Sequence, residues 1–151
     1  MDRGRAYNAR KSAICCAHLL GQRFEGKDLF VTFGYLPGQE PRNRAAAVYQ
    51  LKSGVIDPLR RLRRAQGVPF RYAYSTKWST APAGTEHRLI LSAGRDAPDL
   101  LSSLWQQYGP VVCRPLGELG PLEELVKRLY AEAERGAGPY EKPIIHSRGL
   151  Y

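Results

Sequence analysis

The chain is poor in the residues that build covalent or metal-bound frameworks. It has three cysteines and three histidines in 151 residues. The odd cysteine count and the lack of a CxxC spacing exclude a disulfide framework and a zinc ribbon. No apolar run approaches the about 20 residues that cross a bilayer, and no hydrophobic segment of a secretory signal follows the basic N-terminus. These absences predict an intracellular protein without a membrane partner.

The sequence also lacks the short motifs of several common enzyme classes. It contains no GxSxG, Walker loop, HExxH or GxGxxG. Its three histidines, His18, His87 and His146, are scattered, and no Cys–His pair is visible by spacing. We therefore predict no cofactor, with a divalent metal only if the nuclease alternative introduced below holds, and lean against an enzyme.

Positive charge is what the chain has in excess. Lysine and arginine number 23 against 14 acidic residues, which gives a net charge of +9. Such an excess attracts polyanions, so nucleic acid or an acidic protein surface is the expected partner. Arginine is densest over residues 60–64, where it also suits the negative end of a helix dipole. Phosphate contact and a purely structural role both remain open for this cluster.

Hydrophobic periodicity predicts one domain over residues 1–151, with a basic N-terminal helix in 1–27, a core in 28–136 and a tail in 137–151. Period-2 alternation and helical spacing predict further elements. The strands fall at 28–35, 70–78, 85–91 and 111–114, and the helices at 43–66, 96–108 and 121–135. Gly54 and Pro58 interrupt the first of these helices, which is either kinked or divided in two.

The order of these elements matches a known α+β arrangement. The pattern strand-helix-strand-strand-helix-strand is that of a ferredoxin-like, RRM-like fold, with one antiparallel sheet and helices on one face. Extra helices precede and follow this unit. We expect the other face of the sheet to be free for a partner or an active site.

The strand at 85–91 carries the most informative side chains. Because strand side chains alternate, Glu86 and Arg88 share one face and His87 lies on the other. We expect Glu86 and Arg88 to form a charge pair. His87 is expected to be a core histidine with satisfied hydrogen bonds. The strand at 70–78 similarly presents an aromatic row, which we expect to be core, although such rows also stack nucleic-acid bases.

Together these segments resemble the HUH (His-hydrophobe-His) endonucleases, the rolling-circle replication initiators. They are most similar to the small Rep-like proteins of phages and mobile elements in Gram-positive bacteria. The similarity runs in colinear order from about Asn8 to Tyr151. It comprises the basic first helix, the arginine-rich helix end and the segments 29–35, 72–76, 86–91, 104–109 and 147–150. The resemblance implies a Rep-nuclease-like fold in the cytoplasm of a bacterial host cell.

The resemblance also implies an active site, from which this sequence departs. The family strand presents histidines that hold a divalent metal, whereas this chain has Glu86 and Arg88 there, with His87 between them. A further carboxylate ligand of the family corresponds to Lys77. An arginine cannot ligate a metal, and its charge opposes one nearby. We therefore predict no metal site, only a remnant at residues 86–88.

The nucleophile of the family is a tyrosine on the last helix, and this position reads Arg128. Tyr130 lies two residues further on, which rotates its side chain by about 200° around the helix. DNA nicking needs a metal to polarise the phosphate and a nucleophile in line with it. Altered ligands and an altered nucleophile together predict a protein without catalytic activity.

Three functions remain in contention. The preferred one is an inactive Rep-like protein that binds single-stranded DNA or RNA. A phage-encoded inhibitor of a host defence complex, of the anti-CRISPR kind, would bind a host nucleoprotein complex instead. A metal-dependent single-stranded DNA nickase using Tyr130 is the enzyme alternative. The predicted binding residues are Arg60, Arg61, Arg63, Arg64, Arg71, Lys77, Arg88 and Arg128.

Overall fold

The structure, a computed structural model, describes residues 3–80, 84–92, 96–137 and 141–147, with side chains from residue 11 onward. The elements follow one another in the order helix, strand, long helical stretch, hairpin, helix, strand, helix and strand. They are α1 (Arg3–Arg23), β1 (Leu29–Phe33), α2 (Arg44–Leu51), a π-helical segment (Lys52–Ile56), α3 (Asp57–Gln66), β2 (Tyr72–Lys77), β3 (Glu86–Leu91), α4 (Ala97–Trp105), β4 (Val111–Pro115), a 3-10 turn (Leu116–Leu119), α5 (Leu122–Glu134) and β5 (Ile144–His146).

The five strands form one antiparallel sheet in the order β4-β1-β3-β2-β5. The first four strands have the ferredoxin-like order, so the predicted α+β fold is confirmed. Strand β3 lies at the centre, with His87 opposite Phe33 on β1 and Thr76 on β2. Strand β5, in the tail, was not predicted. It pairs with β2, where His146 lies opposite Ala73.

One face of the sheet packs against the helical stretch 44–66 and α4. Val31, Phe33 and Leu89 from the strands meet Leu51 and Trp105 from the helices in a single apolar cluster. The Trp105 ring lies edge-on to Phe33, and its Nε1 donates to the Gly34 carbonyl at 2.8 Å. This satisfied donor lets the largest core side chain be completely buried. The predicted aromatic row contributes Tyr72 and Tyr74 to this core, as expected.

The second face of the sheet is covered by α1 and α5, so the expectation that it would be free is wrong. Leu20 of α1 and Val126 and Leu129 of α5 pack onto Ala73 and Ile90 of the sheet. Each terminal helix carries an apolar stripe, which must be buried against another element. Among the described helices, none is both long and apolar enough to span a membrane.

The helical stretch 44–66 is continuous and widens once. Asn43 begins it as predicted, because its side chain accepts from the Ala46 amide at 2.8 Å. Pro58 has no N–H to give to the preceding turn. Just before it, the Asp57 N–H bonds to the Lys52 carbonyl, five residues back, which defines a π turn. The turn absorbs the interruption, so the helix is not divided.

The packing of α1 on the second face predicts that two apolar residues of that helix contribute unequally to the free energy of unfolding. Leu20 is completely buried, whereas Ile14 is 57% exposed. We expect Leu20→Ala to lower the free energy of unfolding by about 2–5 kcal/mol, because it leaves a cavity. Ile14→Ala should change it by less than about 0.5 kcal/mol. Urea denaturation of both variants measures the difference, and equal effects would contradict a buried second face.

Candidate nucleic-acid-binding groove and remnant site

A polar pocket of about 300 Å³ lies between β3 and α5, at the positions where the sequence predicts an altered active site. Glu86 and Arg88 reach it from β3, and Arg128 and Glu132 reach it from α5. Glu86, Arg88 and Ile90 point to this face because β3 alternates. The structure therefore brings together three of the predicted site residues, Glu86, Arg88 and Arg128.

Arg88 is held in this pocket by two carboxylates. Its Nη1 donates to Glu132 Oε2 at 2.6 Å, and its Nε donates to Glu86 Oε2 at 3.4 Å. The predicted pair of Glu86 and Arg88 is present, and Glu132 is a partner that sequence reasoning missed. Only 9% of the Arg88 side chain is exposed. These contacts give Arg88 a structural role in place of the predicted phosphate contact.

The pocket does not fit a divalent metal. The Arg88 guanidinium contacts both Glu86 and Glu132, and its positive charge repels a metal ion there. Within the described ranges, no three His, Cys, Asp or Glu side chains form a group that could hold a metal ion. Lys77, which lies opposite Glu86 in the sheet, carries an ammonium group that cannot ligate a metal.

His87 lies on the opposite face of β3, completely buried and hydrogen-bonded at both ring nitrogens. Tyr35 donates its hydroxyl proton to Gln50 Oε1, so its oxygen accepts from His87 Nε2 at 2.8 Å. His87 Nδ1 then accepts from the Thr76 hydroxyl at 2.7 Å. Burial, reinforced by Arg44 and Arg88, lowers the pKa of His87 from 6.5 to about 3. His87 is thus a neutral core residue, as expected.

Tyr130 points toward Ser12 of α1 and does not line the polar pocket. It packs against the edge of the α1–α5 core, as Cys16 does. Burial raises the pKa of its hydroxyl, and a hydrogen bond with Ser12 opposes that shift. Arg128, two residues earlier, lines the pocket instead. The rotation of about 200° expected from helical geometry therefore separates the two side chains.

A larger groove, of about 710 Å³, opens between the helical stretch 44–66 and the β2–β5 edge of the sheet. Cationic side chains form one wall of it and aromatic rings form its floor. Its described lining consists of Lys52, Arg60, Arg64, Val68, Phe70, Tyr72, His146 and Ser147. The lining therefore includes no carboxylate among the described residues, which makes the groove electropositive.

Arg60 is positioned by the floor of this groove. Its Nη2 donates to the Tyr72 hydroxyl, and its guanidinium lies 5.6 Å from the centre of the Tyr72 ring. Asp57 accepts from its Nη1 at 3.5 Å. The Tyr72 ring lies between those of Phe70 and Tyr74, with centroids 4.9 and 6.1 Å away. These contacts preorganise Arg60 while 43% of its side chain stays exposed.

The cluster 60–64 is divided between two roles. Arg60 and Arg64, four residues apart, share the wall of the groove. Arg63 is buried instead and donates to Asp96 at 2.9 Å and to Gln66 at 2.8 Å. This bond from Arg63 lowers the pKa of Asp96 and ties α3 to the start of α4. These contacts favour a structural role for Arg63 over the predicted phosphate contact.

The remaining predicted cations do not line the groove. Arg61 is exposed on α3, Arg71 is exposed at the start of β2, and Lys77 is half-buried at the end of β2. Lys52 does line it, and sequence reasoning missed this residue. Arg60 follows Lys52 by eight positions. In a regular α-helix this spacing would place the two side chains about 80° apart around the helix axis. The π turn between them absorbs one residue and restores a common wall.

Comparisons of the chain with models of protein families, with curated proteins and with solved structures found no match.

The buried, neutral state of His87 predicts a loss of stability in acid. Between pH 6.5 and about 3, His87 is protonated in the unfolded chain and stays neutral in the folded chain. Stability therefore falls as pH decreases below 6.5, by about 1.4 kcal/mol per pH unit from this residue. Urea denaturation between pH 7 and pH 5 measures the slope, and His87→Gln removes it. Identical slopes for the wild type and the variant would contradict the assignment.

Proposed function

We propose that the protein binds single-stranded nucleic acid through the basic groove, on a degenerate Rep-like scaffold that has lost nuclease activity. The observation that carries this proposal is the composition of the groove. Lys52, Arg60 and Arg64 line the groove together with the partly buried ring of Phe70, while Tyr72 is buried in the core and holds Arg60 in place. Cations that follow a phosphate backbone, next to aromatic rings that stack on bases, are the recurrent chemistry of single-strand recognition.

The shape of the groove favours single strands over duplex. A duplex keeps its base faces stacked inside, so its contacts with protein come from phosphates and groove edges. A concave groove with rings at its base accepts bases that are unstacked and turned toward the protein. Phe70 is only partly buried, so its ring is available at the floor.

The polar pocket between β3 and α5 supports the loss of nuclease activity. The ion pairs of Arg88 with Glu86 and Glu132 leave no coordination site for the metal that phosphate polarisation requires. The hydroxyl of Tyr130 is engaged with Ser12 of α1. A Rep-like origin accounts for the meeting of Glu86, Arg88 and Arg128 in one pocket.

The inhibitor of a host defence complex remains an alternative of a different class. It would hold a host nucleoprotein complex through protein contacts, and such contacts survive removal of the nucleic acid. A pull-down from host lysate, performed with and without nuclease treatment, separates the two functions. Capture that depends on nucleic acid favours the proposed function.

The cationic wall predicts a specific salt dependence. For a fluorescent oligothymidylate, three phosphate contacts give a slope of log K against log salt of about −2. We expect Arg64→Gln to weaken binding and to reduce the slope by about 0.7. Arg114→Gln is the matched control, since Arg114 lies on β4 at the opposite edge of the sheet, half-exposed. Fluorescence anisotropy at several salt concentrations measures both.

Two outcomes of this titration would reject the proposal. One is an absence of binding by the wild type at low salt. The other is an equal loss of affinity in Arg64→Gln and Arg114→Gln, which would indicate a response to net charge and not to the groove.

From the residues of the polar pocket between β3 and α5, we predict that the protein does not nick DNA. Labelled single-stranded DNA incubated with Mn²⁺ should remain intact and form no covalent adduct, with the wild type and with Tyr130→Phe alike. Denaturing gels detect both products. An adduct that forms with the wild type and is lost in Tyr130→Phe would instead establish the nickase.

A further inference from the structure

A second cavity, of about 360 Å³, adjoins the basic groove. It lies between α2 and the β2–β5 edge, and Lys52 lines both spaces. Its character differs from that of the groove, because Val48, Tyr74, Pro143 and Ile145 contribute apolar surface to its walls. Its volume is at the lower end of the about 300–1,000 Å³ of small-molecule sites. The cavity thus suits one flat, largely apolar group attached to something anionic.

An exposed aromatic ring belongs to this cavity. Tyr49 lines it and is 69% exposed, whereas Tyr72 and Tyr74 nearby are buried in the core. An exposed tyrosine contributes nothing to the core and is well suited to stack on a planar ligand. Tyr49 and Lys52 are three residues apart, on adjacent turns of the helical stretch.

The polar groups of the cavity are also those that a planar heterocycle can use. Arg44, which lines it, forms an ion pair with Glu141 and is 12% exposed at its side chain. A nucleobase offers acceptors and donors around the edge of a flat ring. A guanidinium next to a carboxylate can pair with both kinds of group.

We infer that this cavity receives one extruded nucleobase of the bound strand, stacked on Tyr49, while the neighbouring phosphates contact Lys52 and the basic groove. This inference rests on the proposed function and deepens it. Lys52 lines both spaces, and this selects the occupant, because a strand whose phosphates lie in the groove can place an attached base in the neighbouring cavity. The π turn that positions Lys52 is of a kind frequently found at functional sites.

The test separates the contribution of the bases to binding from that of the phosphates. A fluorescent oligothymidylate is compared with an abasic strand of the same length, which keeps the phosphates and lacks the bases. We expect Tyr49→Ala to weaken binding of the oligothymidylate about tenfold, the effect of losing one stacked base. Binding of the abasic strand and the salt slope should stay at the wild-type values. Tyr49→Phe keeps the ring and should retain wild-type affinity for both strands.

A second variant closes the cavity without changing charge. Ala45 is exposed at its wall, so Ala45→Trp should fill the space and reproduce the selective loss on the base-bearing strand. Ala131→Trp, at an exposed position on α5, controls for adding an indole ring. Circular dichroism confirms that each variant is folded.

The outcomes distinguish this inference from the proposed function. If Tyr49→Ala and Ala45→Trp bind both strands as the wild type does, while Arg64→Gln binds more weakly, the base site is rejected and the groove is retained. A loss of equal size on both strands in Tyr49→Ala also rejects the base site. If the wild type binds neither strand at low salt, the proposed function fails and the base site fails with it.

Discussion

Strand β3 is buried on both faces, so the position of each residue along it decides which of two cores the side chain enters. His87 enters the core under α2 and α4, where Tyr35 and Thr76 satisfy both of its nitrogens. Arg88, the next residue, enters the opposite side and pairs with Glu132 of α5. A slip of one residue would exchange these environments and bury an arginine among aromatic rings. The register of the central strand is therefore strongly specified, and the remaining strands are aligned to it.

Double coverage of the sheet also determines where a ligand can bind. With helices on both faces, the described part of the sheet is open at its two edges, at β4 and β5, and at the polar pocket between β3 and α5. Strand β5 has only three residues, and the groove and the adjoining cavity both open beside it. The candidate binding surfaces thus lie where the layers end.

Local patterns in the sequence predicted most of the fold. Alternation gave β1 to β4 within a few residues, and helical stripes gave the helical stretch 44–66, α4 and α5. Strand β5 was missed because three residues are too few for a periodic pattern, and its partner β2 lies about 70 residues earlier. The covered second face was missed because packing of the two terminal helices depends on contacts that no single segment records.

The candidate site was predictable only in part, and for similar reasons. The arginine cluster indicated Arg60 and Arg64, but the burial of Arg63 depends on Asp96, which lies 33 residues away. Lys52 was missed because a prediction that assumes 3.6 residues per turn does not place it on the same side of the helix as Arg60. The π turn changes that spacing. The alternation of side chains along β3 correctly predicted that Glu86 and Arg88 share one face of the sheet and that His87 lies on the other. Glu132, which completes the ion pairs, depends on how α5 lies across the sheet.

The π turn has a consequence for how the sequence can change. It contains one residue more than a regular helix would use between α2 and α3, and it accommodates Pro58, so a deletion within it would bring the proline ring against the preceding turn. A β-carbon at Gly54 would meet nothing within 4 Å, so this position accepts larger side chains. The fold therefore has a point, inside a packed helix and near the basic groove, where a descendant sequence can change composition while the sheet keeps its register.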